Sequence, residues 1–142
     1  MSRAITVSEY RKRVIELEIT KTVPRTVGTK FYGSVIHGIM KEDGITRGKF
    51  LLNTPNQDVN RNEASWIVIW EFEVFPEFRG KGYGKAGYLA LEKMILDKYS
   101  PHEIYLTARS LEEGSPNPKG FWEKFGYATT HEQDMKKRFA ES

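Results

Sequence analysis

The ten residues from Trp66 to Phe75 constrain the fold of this chain more than any other segment. All of them except Glu71 and Glu73 are apolar. Because strand side chains alternate between two faces, the segment predicts one face with Trp66, Val68, Trp70, Phe72 and Val74 and another with Ile67, Ile69, Glu71, Glu73 and Phe75. A strand that is apolar on both faces is predicted to lie in the centre of a sheet.

The segments on either side of this strand predict more strands and a long helix. Upstream, apolar runs at 31–40 and 49–52 flank the turn signal Lys41-Glu42-Asp43-Gly44, a pattern typical of a β-hairpin. Downstream, a glycine-rich turn leads into a helix that reaches about Lys98 and ends at Ser100-Pro101. Residues 103–108 then alternate again as a strand.

The C-terminal part predicts a short second helix and closing strands. Asn117 is expected to be the N-cap of this helix, with Pro118 at its first position and Gly126 after its end. Residues 127–139 predict one or two strands, and the polar stretches 53–65 and 110–119 predict loops. Strands that alternate with helices in this order predict an α/β sandwich.

The N-terminal quarter fits two interpretations. Ser8 could cap a helix that carries Tyr10, Val14 and Leu17. Ile15, Leu17 and Ile19 also alternate as they would in a strand. Both interpretations stay open.

Length and composition limit the classes of protein. The 142 residues correspond to a single domain, 1–142, and 39% hydrophobic residues are enough for a core. The 22 basic and 19 acidic residues leave a charge of +3, which suits an anionic small ligand and is too small an excess to predict a nucleic-acid-binding protein. No run of about 18 apolar residues and no secretory signal is present, so we expect a cytoplasmic protein without membrane contact.

Cysteine and histidine exclude further kinds of site. The chain has no cysteine, so disulfides, zinc-thiolate sites and a cysteine nucleophile are excluded. His37, His102 and His131 are far apart in the sequence and in no metal-binding spacing. We therefore expect no metal.

The segment Arg79-Gly80-Lys81-Gly82-Tyr83-Gly84-Lys85 follows the central strand and opens the long helix. Glycines at alternate positions let the backbone turn tightly and present successive N–H groups, and the helix N-terminus adds partial positive charge. Ala86 stands where a Walker A loop needs Ser or Thr. Taken alone, the segment fits either a diphosphate-binding turn or a simple chain reversal.

Glu71 and Glu73 are the chemical anomaly of the central strand, because an unpaired buried carboxylate is costly. One explanation is a catalytic base or cation site, since an amine has to lose its proton before it can attack a carbonyl carbon. The other is an ion pair with a nearby Lys or Arg at the edge of the sheet. We prefer Glu71 as the base, with Glu73 as a second candidate.

Two ordered motifs resemble those of the GNAT superfamily of N-acetyltransferases. The run Val74-x-Pro76-x-x-Arg79-Gly80-x-Gly82-x-Gly84 is similar to its acyl-CoA signature R/Q-x-x-G-x-G/A. The run Phe121-Trp122-Glu123-Lys124-Phe125-Gly126-Tyr127 resembles its second motif, F-Y-x-K-x-G-F. The resemblance covers residues 66–138, while the hairpin at 31–54 fits the second and third strands of the family only by pattern.

The resemblance implies a GNAT-like fold, in which helices flank a mixed, mostly antiparallel sheet of about six to seven strands. It implies transfer of an acetyl group from acetyl-CoA to a primary amine, on a small molecule or a protein, by direct attack. The diphosphate of CoA would lie on the backbone of Arg79, Gly80, Lys81, Gly82, Tyr83, Gly84 and Lys85. The pantetheine arm would pair with the backbone around Val74 and Phe75, and Asn117 is a weaker candidate for a CoA contact.

Other positions depart from the family pattern. Trp122 stands where the family has a tyrosine that protonates the leaving thiolate, and an indole N–H cannot be a general acid at neutral pH. We expect Trp122 mainly to pack the short helix beside the CoA site. The alternative function is an acyl-CoA-binding regulatory module with weak or no catalysis. The amine acceptor is not identified, and a homodimer is left open.

Overall fold

A computed structural model describes residues 4–10, 13–54, 66–108 and 118–139. These residues form one sheet with two α-helices, in the order β1 (Ala4–Tyr10), β2 (Arg13–Val27), β3 (Lys30–Glu42), β4 (Ile45–Thr54), β5 (Trp66–Val74), α1 (Tyr83–Tyr99), β6 (Glu103–Thr107), α2 (Pro118–Glu123), β7 (Ala128–His131) and β8 (Asp134–Arg138). A single 3₁₀ turn at Pro76–Phe78 joins β5 to the glycine-rich turn. No helix in the described ranges is long and apolar enough to cross a membrane.

The sheet has the strand order β1-β2-β3-β4-β5-β6-β8-β7. Only β5 and β6 pair in parallel, and every other neighbouring pair is antiparallel. The predicted mixed, mostly antiparallel sheet and the central position of β5 are confirmed. The eight described strands exceed the six to seven expected, because the N-terminal segment forms the hairpin β1–β2 and contributes no helix.

Most of the predicted elements are present with nearly the predicted bounds. The turn between β3 and β4 has Asp43 and Gly44 at φ of 51° and 75°, the left-handed pair that a tight hairpin needs. Helix α1 ends where Ser100, at φ of 46°, donates its backbone N–H to the carbonyl of Leu96. The expected N-cap of α2, Asn117, and most of both expected loops lie outside the described residues.

The core lies between α1, α2 and one face of the sheet. Gly87 lets α1 approach the sheet closely, because a Cβ at this position would lie 2.1 Å from Sδ of Met40. Trp122 of α2 packs edge-on against Phe72 of β5, with ring centroids 5.9 Å apart. The large side chains that this packing buries almost completely are Ile15, Leu17, Met40, Leu52, Ile67, Ile69, Phe72, Tyr88, Leu91, Ile95, Ile104 and Trp122.

The simple alternation expected along β5 is wrong. Leu51 pairs with Glu71 while Leu52 pairs with Ile69, so Trp70 is the extra residue of a β-bulge. The bulge reverses the side-chain order beyond it, and Phe72 and Val74 lie on the same buried face as Ile67 and Ile69.

The opposite face, which we call the open face, carries Trp66, Trp70, Glu71, Glu73 and Lys49. Trp66 and Trp70 are 39% and 43% exposed, although β5 lies inside the sheet. Both described helices pack on the other side. In the described ranges, the two carboxylates therefore lie on the face opposite the helices.

Candidate functional site

The two parallel strands separate beyond the bulge. Their pairing runs from Trp66 with Glu103 to Ile69 with Leu106 and ends there. From Glu71 to Val74, β5 continues in pairing with β4 on its other side. Among the described residues, β5 from Glu71 to Val74 therefore has no strand partner on the β6 side, and we call this unpaired edge the β5–β6 cleft.

Backbone groups of β5 point into this cleft. The N–H of Phe75 donates to the carbonyl of Arg47 on the β4 side, at 2.8 Å. Successive residues of a strand direct their N–H groups to opposite sides, so the N–H and carbonyl of Val74 are directed to the cleft. The Val74 carbonyl already accepts from Nε of Arg79 at 2.9 Å.

The glycine-rich turn lies at the end of β5 and forms the entry to α1. Gly80 and Gly82 have φ of 77° and 89°, and a Cβ built on either would meet nothing within 4 Å. Gly82 is the N-cap of α1, and Gly84 lies in the first turn of the helix. Both the left-handed conformation and the open space above the two glycines suit a backbone that binds an anion, as the sequence predicts.

The charged side chains of the turn have different surroundings. Lys81 is exposed and Lys85 is half-buried. The guanidinium of Arg79 lies back against β5, where its NH2 is 3.5 Å from Oε2 of Glu73. Tyr83 is buried and begins α1. The turn thus presents mainly backbone and lysine groups outward, while Arg79 is tied to the end of the strand.

Glu71 and Glu73 both have a cation beside them on the open face. Nζ of Lys49 lies 3.2 Å from Oε1 of Glu71 and 3.8 Å from Oε1 of Glu73. The hydrogen bond to Glu71 and its charge raise the pKa of Lys49 above its ordinary value. Glu71 is 39% exposed and is therefore reachable from solvent. The ion pairs that one explanation of the two carboxylates requires are therefore present. Glu71 also lies next to the bulge at Trp70, where the β5–β6 cleft begins.

Trp122 lies inside an aromatic cluster. It is fully buried, and five rings surround it with centroids 4.8 to 6.5 Å away, those of Phe72, Tyr88, Phe121, Phe125 and Tyr127. Its Nε1 has no hydrogen-bond partner among the described residues. Beside it the hydroxyls of Tyr88 and Tyr127 lie 2.6 Å apart, and burial raises the pKa of both tyrosines. The surroundings of Trp122 are those of a packing residue.

Sequence reasoning missed three residues that contact these segments. Lys49 was missed because its position opposite Glu73 depends on the register of β4. Arg13 and Glu42 contact each other and the glycine-rich turn from 68 and 41 residues away in the chain. No local pattern signals contacts between such distant positions. Within the described ranges, no group of three or more His, Asp or Glu side chains could hold a metal ion.

Comparison with known protein families finds one family model that matches most of the chain. The model of the Acetyltransferase (GNAT) family matches residues 25–127. No curated protein matches the chain. Among solved structures, the chain is similar to Arabidopsis thaliana Naa50 in complex with the bisubstrate analogue CoA-Ac-MVNAL, with a TM-score of 0.55 and 19% identity over 72% of each chain.

Two further structures have a similar fold at lower identity. The N-terminal domain of a ribosomal-protein-alanine acetyltransferase from Clostridium acetobutylicum has a TM-score of 0.50 and 10% identity over 96% of each chain. A KacTA–DNA complex contains a chain with a TM-score of 0.55 and 10% identity, over 73% of this chain and 67% of that one. At these identities the similarity extends to the fold, and the predicted architecture is confirmed.

Proposed function

Since the chain belongs to the GNAT family of acetyltransferases, we propose that it transfers an acetyl group from acetyl-CoA to an amine. The observation that carries the proposal is the β5–β6 cleft, which opens beside a glycine-rich turn and the N-terminus of α1. The two features together suit acetyl-CoA, because the helix N-terminus can bind the diphosphate and the unpaired strand backbone can bind the amides of the pantetheine arm.

The residues present fit CoA. The open space above Gly80 and Gly82 accommodates a diphosphate close to the backbone, and Lys81 and Lys85 add positive charge. In this proposal, the Val74 N–H pairs with an amide carbonyl of the pantetheine arm. When bound, acetyl-CoA supplies the acyl group as an activated thioester.

Glu71 is our candidate for the general base. It reaches solvent at the bulge, where the reacting amine would approach the β5–β6 cleft from the open face. The amine gives a proton to Glu71 directly or through one water, and its nitrogen attacks the thioester carbonyl carbon. The carbon–sulfur bond then breaks, and the CoA thiolate leaves and takes a proton from water. Nζ of Lys49 contacts Glu71 at 3.2 Å and Glu73 at 3.8 Å, so the two carboxylates share one lysine.

The acceptor amine is proposed as a class only. Naa50 has been solved with the bisubstrate analogue CoA-Ac-MVNAL, and a second similar structure is named for acetylation of a ribosomal protein. Trp70 and Glu71 of the open face are 43% and 39% exposed, and we propose that the acceptor approaches from this face. We include protein amines with small amines in the acceptors to be tested.

A second candidate is an acyl-CoA-binding module without turnover. Two observations favour it: Lys49 pairs with the proposed base, and no tyrosine stands at position 122. Catalysis separates the candidates, because both predict CoA binding while only the first predicts acceptor-dependent release of the CoA thiol.

Binding is tested first, by thermal denaturation with and without CoA. Ligand at a hundredfold its dissociation constant should stabilise the fold by about 2.7 kcal/mol. Gly82→Val should remove this gain because the side chain fills the space above the turn. Gly28→Val is the matched control, since Gly28 also has a positive φ and open space around it but lies at the tip of the β2–β3 hairpin. Wild-type protein that millimolar CoA does not stabilise would refute the proposal.

Catalysis is tested with acetyl-CoA and a panel of amines and peptides, by release of the CoA thiol. Glu71→Gln should lower turnover by about 10²- to 10⁴-fold near neutral pH, with a smaller loss at high pH, where the amine is already neutral. CoA affinity should barely change. Glu16→Gln, a carboxylate elsewhere in the sheet, is the control. A pH–rate profile that Glu71→Gln leaves unaltered would assign the base to Glu73 or to solvent.

A further inference from the structure

Four side chains from separate parts of the chain meet beneath the glycine-rich turn. Arg13 is at the start of β2, Glu42 at the end of β3, Arg47 in β4, and Tyr83 at the start of α1. We call this group the arginine clamp. The proposed function gives the group no role, and no sequence motif brings its four residues together.

Arg13 joins the sheet to the turn. Its NH1 donates to Oε1 and Oε2 of Glu42 at 2.9 and 3.0 Å, and its NH2 donates to the backbone carbonyl of Lys81 at 3.1 Å. Its guanidinium also lies 4.0 Å from the ring centroid of Tyr83, whose hydroxyl donates to Oε1 of Glu42 at 2.7 Å. One planar cation therefore fixes a carboxylate, an aromatic ring and a turn carbonyl in one arrangement.

The hydrogen bond from Arg13 to the Lys81 carbonyl sets the orientation of the Gly82 N–H, which belongs to the same peptide group. In a trans peptide the carbonyl of one residue and the N–H of the following residue point in opposite directions. Because Arg13 draws the Lys81 carbonyl toward the sheet, the N–H of Gly82 points away from the sheet. A Cβ built on Gly82 would meet no heavy atom within 4 Å, so a ligand can come close to this residue.

Arg47 adds a second cation to the group. Its NH2 is 3.8 Å from Oε1 of Glu42, and its guanidinium lies 4.5 Å from the ring centroid of Phe78. Its Nε has no hydrogen-bond partner among the described residues. Two guanidiniums share one carboxylate, so the arginine clamp keeps a net positive charge behind the turn, which favours an anion in front of it.

We propose that the arginine clamp is a positioning device for the diphosphate of CoA: Arg13 and Glu42 hold the turn so that the Gly82 N–H faces the phosphate oxygens. The inference rests on the proposed function, because it assumes that CoA binds at this turn. It assigns no chemical step to the clamp. It predicts that the clamp determines affinity for the phosphate-bearing half of CoA and leaves the thioester end unaffected.

The test compares two ligands that differ in phosphate. CoA affinity is measured by calorimetry, and affinity for phosphate-free S-acetylpantetheine is measured by NMR titration of the labelled protein. Arg13→Met should weaken CoA binding about ten- to a hundredfold, the range for a lost hydrogen bond to a charged group, with S-acetylpantetheine unchanged. Arg13→Lys should lose most of the same affinity, because an ammonium cannot span Glu42 and the Lys81 carbonyl in the fork geometry of arginine. In both variants, CoA should no longer shift the Gly82 amide signal.

Two controls keep the result interpretable. Glu42→Gln keeps an acceptor for Tyr83 but breaks the two-oxygen pairing that orients Arg13, so it should weaken CoA binding although the added net positive charge alone would strengthen it. It tests the proposal even if Arg13→Met does not fold. Lys136→Met breaks an ion pair of 3.0 Å with Glu103 on the other side of the sheet and should leave both affinities unchanged.

The outcomes separate the two proposals. Variants that bind CoA as well as the wild type, or that lose both ligands equally, would overturn the positioning role and leave the proposed function intact. Wild-type protein that binds neither ligand would overturn the proposed function, and the inference with it.

Discussion

Gly48→Ala tests whether the spacing of β4 and β5 depends on a glycine. A Cβ at position 48 would lie 2.1 Å from the backbone oxygen of Glu73, whereas an ordinary contact is at least 3.4 Å. The two strands would have to separate by about 1.3 Å, the difference between these distances. The obstacle is backbone that is held in a central strand, so a change of side-chain rotamer cannot relieve the contact.

The expected cost follows from this separation. The hydrogen bond from Phe75 N–H to the Arg47 carbonyl is 2.8 Å long, and strand separation would stretch it beyond bonding range. A lost hydrogen bond costs about 0.5–1.5 kcal/mol, and an overpacked site costs about 1–3 kcal/mol. We therefore expect the free energy of unfolding to fall by about 2–4 kcal/mol. The midpoint of thermal unfolding should fall by about 5–15 °C.

Urea denaturation, followed by tryptophan fluorescence and circular dichroism, measures the change. Gly87→Ala is the matched control, because its Cβ would meet Sδ of Met40 at 2.1 Å, and a methionine side chain can turn away. The gain in helix propensity from glycine to alanine, about 1 kcal/mol, offsets part of its cost. The reasoning is refuted if Gly48→Ala is as stable as the wild type, or if Gly87→Ala costs more than Gly48→Ala.

Two further predictions concern the aromatic cluster and the acid range. Trp122→Phe should lower the free energy of unfolding by only about 1 kcal/mol, whereas truncating a buried tryptophan to alanine costs about 3–5 kcal/mol. The cost is small because the variant also removes a buried N–H that has no hydrogen-bond partner among the described residues. The same variant should change turnover less than about tenfold. A loss of about 10³-fold in steady-state assays, with folding and CoA affinity intact, would contradict this and show a direct role for the indole. Hydrogen bonds from Lys136 and Tyr105 lower the pKa of Glu103, so this group stabilises the fold above its unfolded pKa of about 4.3 and loses that effect as pH falls through the lower folded value. The stability difference between wild type and Glu103→Gln in urea titrations should thus be present at pH 7 and shrink below about pH 4; a difference that is constant from pH 7 to 3 would contradict it.

Local patterns in the sequence were sufficient for the elements whose signals are local. The β3–β4 turn is determined by Asp43 and Gly44, because few residues adopt a left-handed conformation at low cost. The end of α1 follows from Ser100-Pro101, and its buried face follows from residues spaced three and four apart. The glycine-rich turn could be located from seven consecutive residues, although these residues alone fit both an anion-binding turn and a simple chain reversal. The positions of these elements along the chain are thus set by local residues.

Only the tertiary structure decided the features that depend on pairing between distant residues. The N-terminal segment is a strand because residues 13–27 have the edge of β3 to pair with, whereas its own side-chain pattern fits a helix equally well. One extra residue at Trp70 reverses the faces of Phe72 and Val74, and such a bulge is set by the register with β4. The same register places Lys49 beside Glu71, and the fold brings Arg13 to the Lys81 carbonyl. A sequence lists which charges are available, but the distance between two charges, on which their interaction depends, is settled only when the strands have paired.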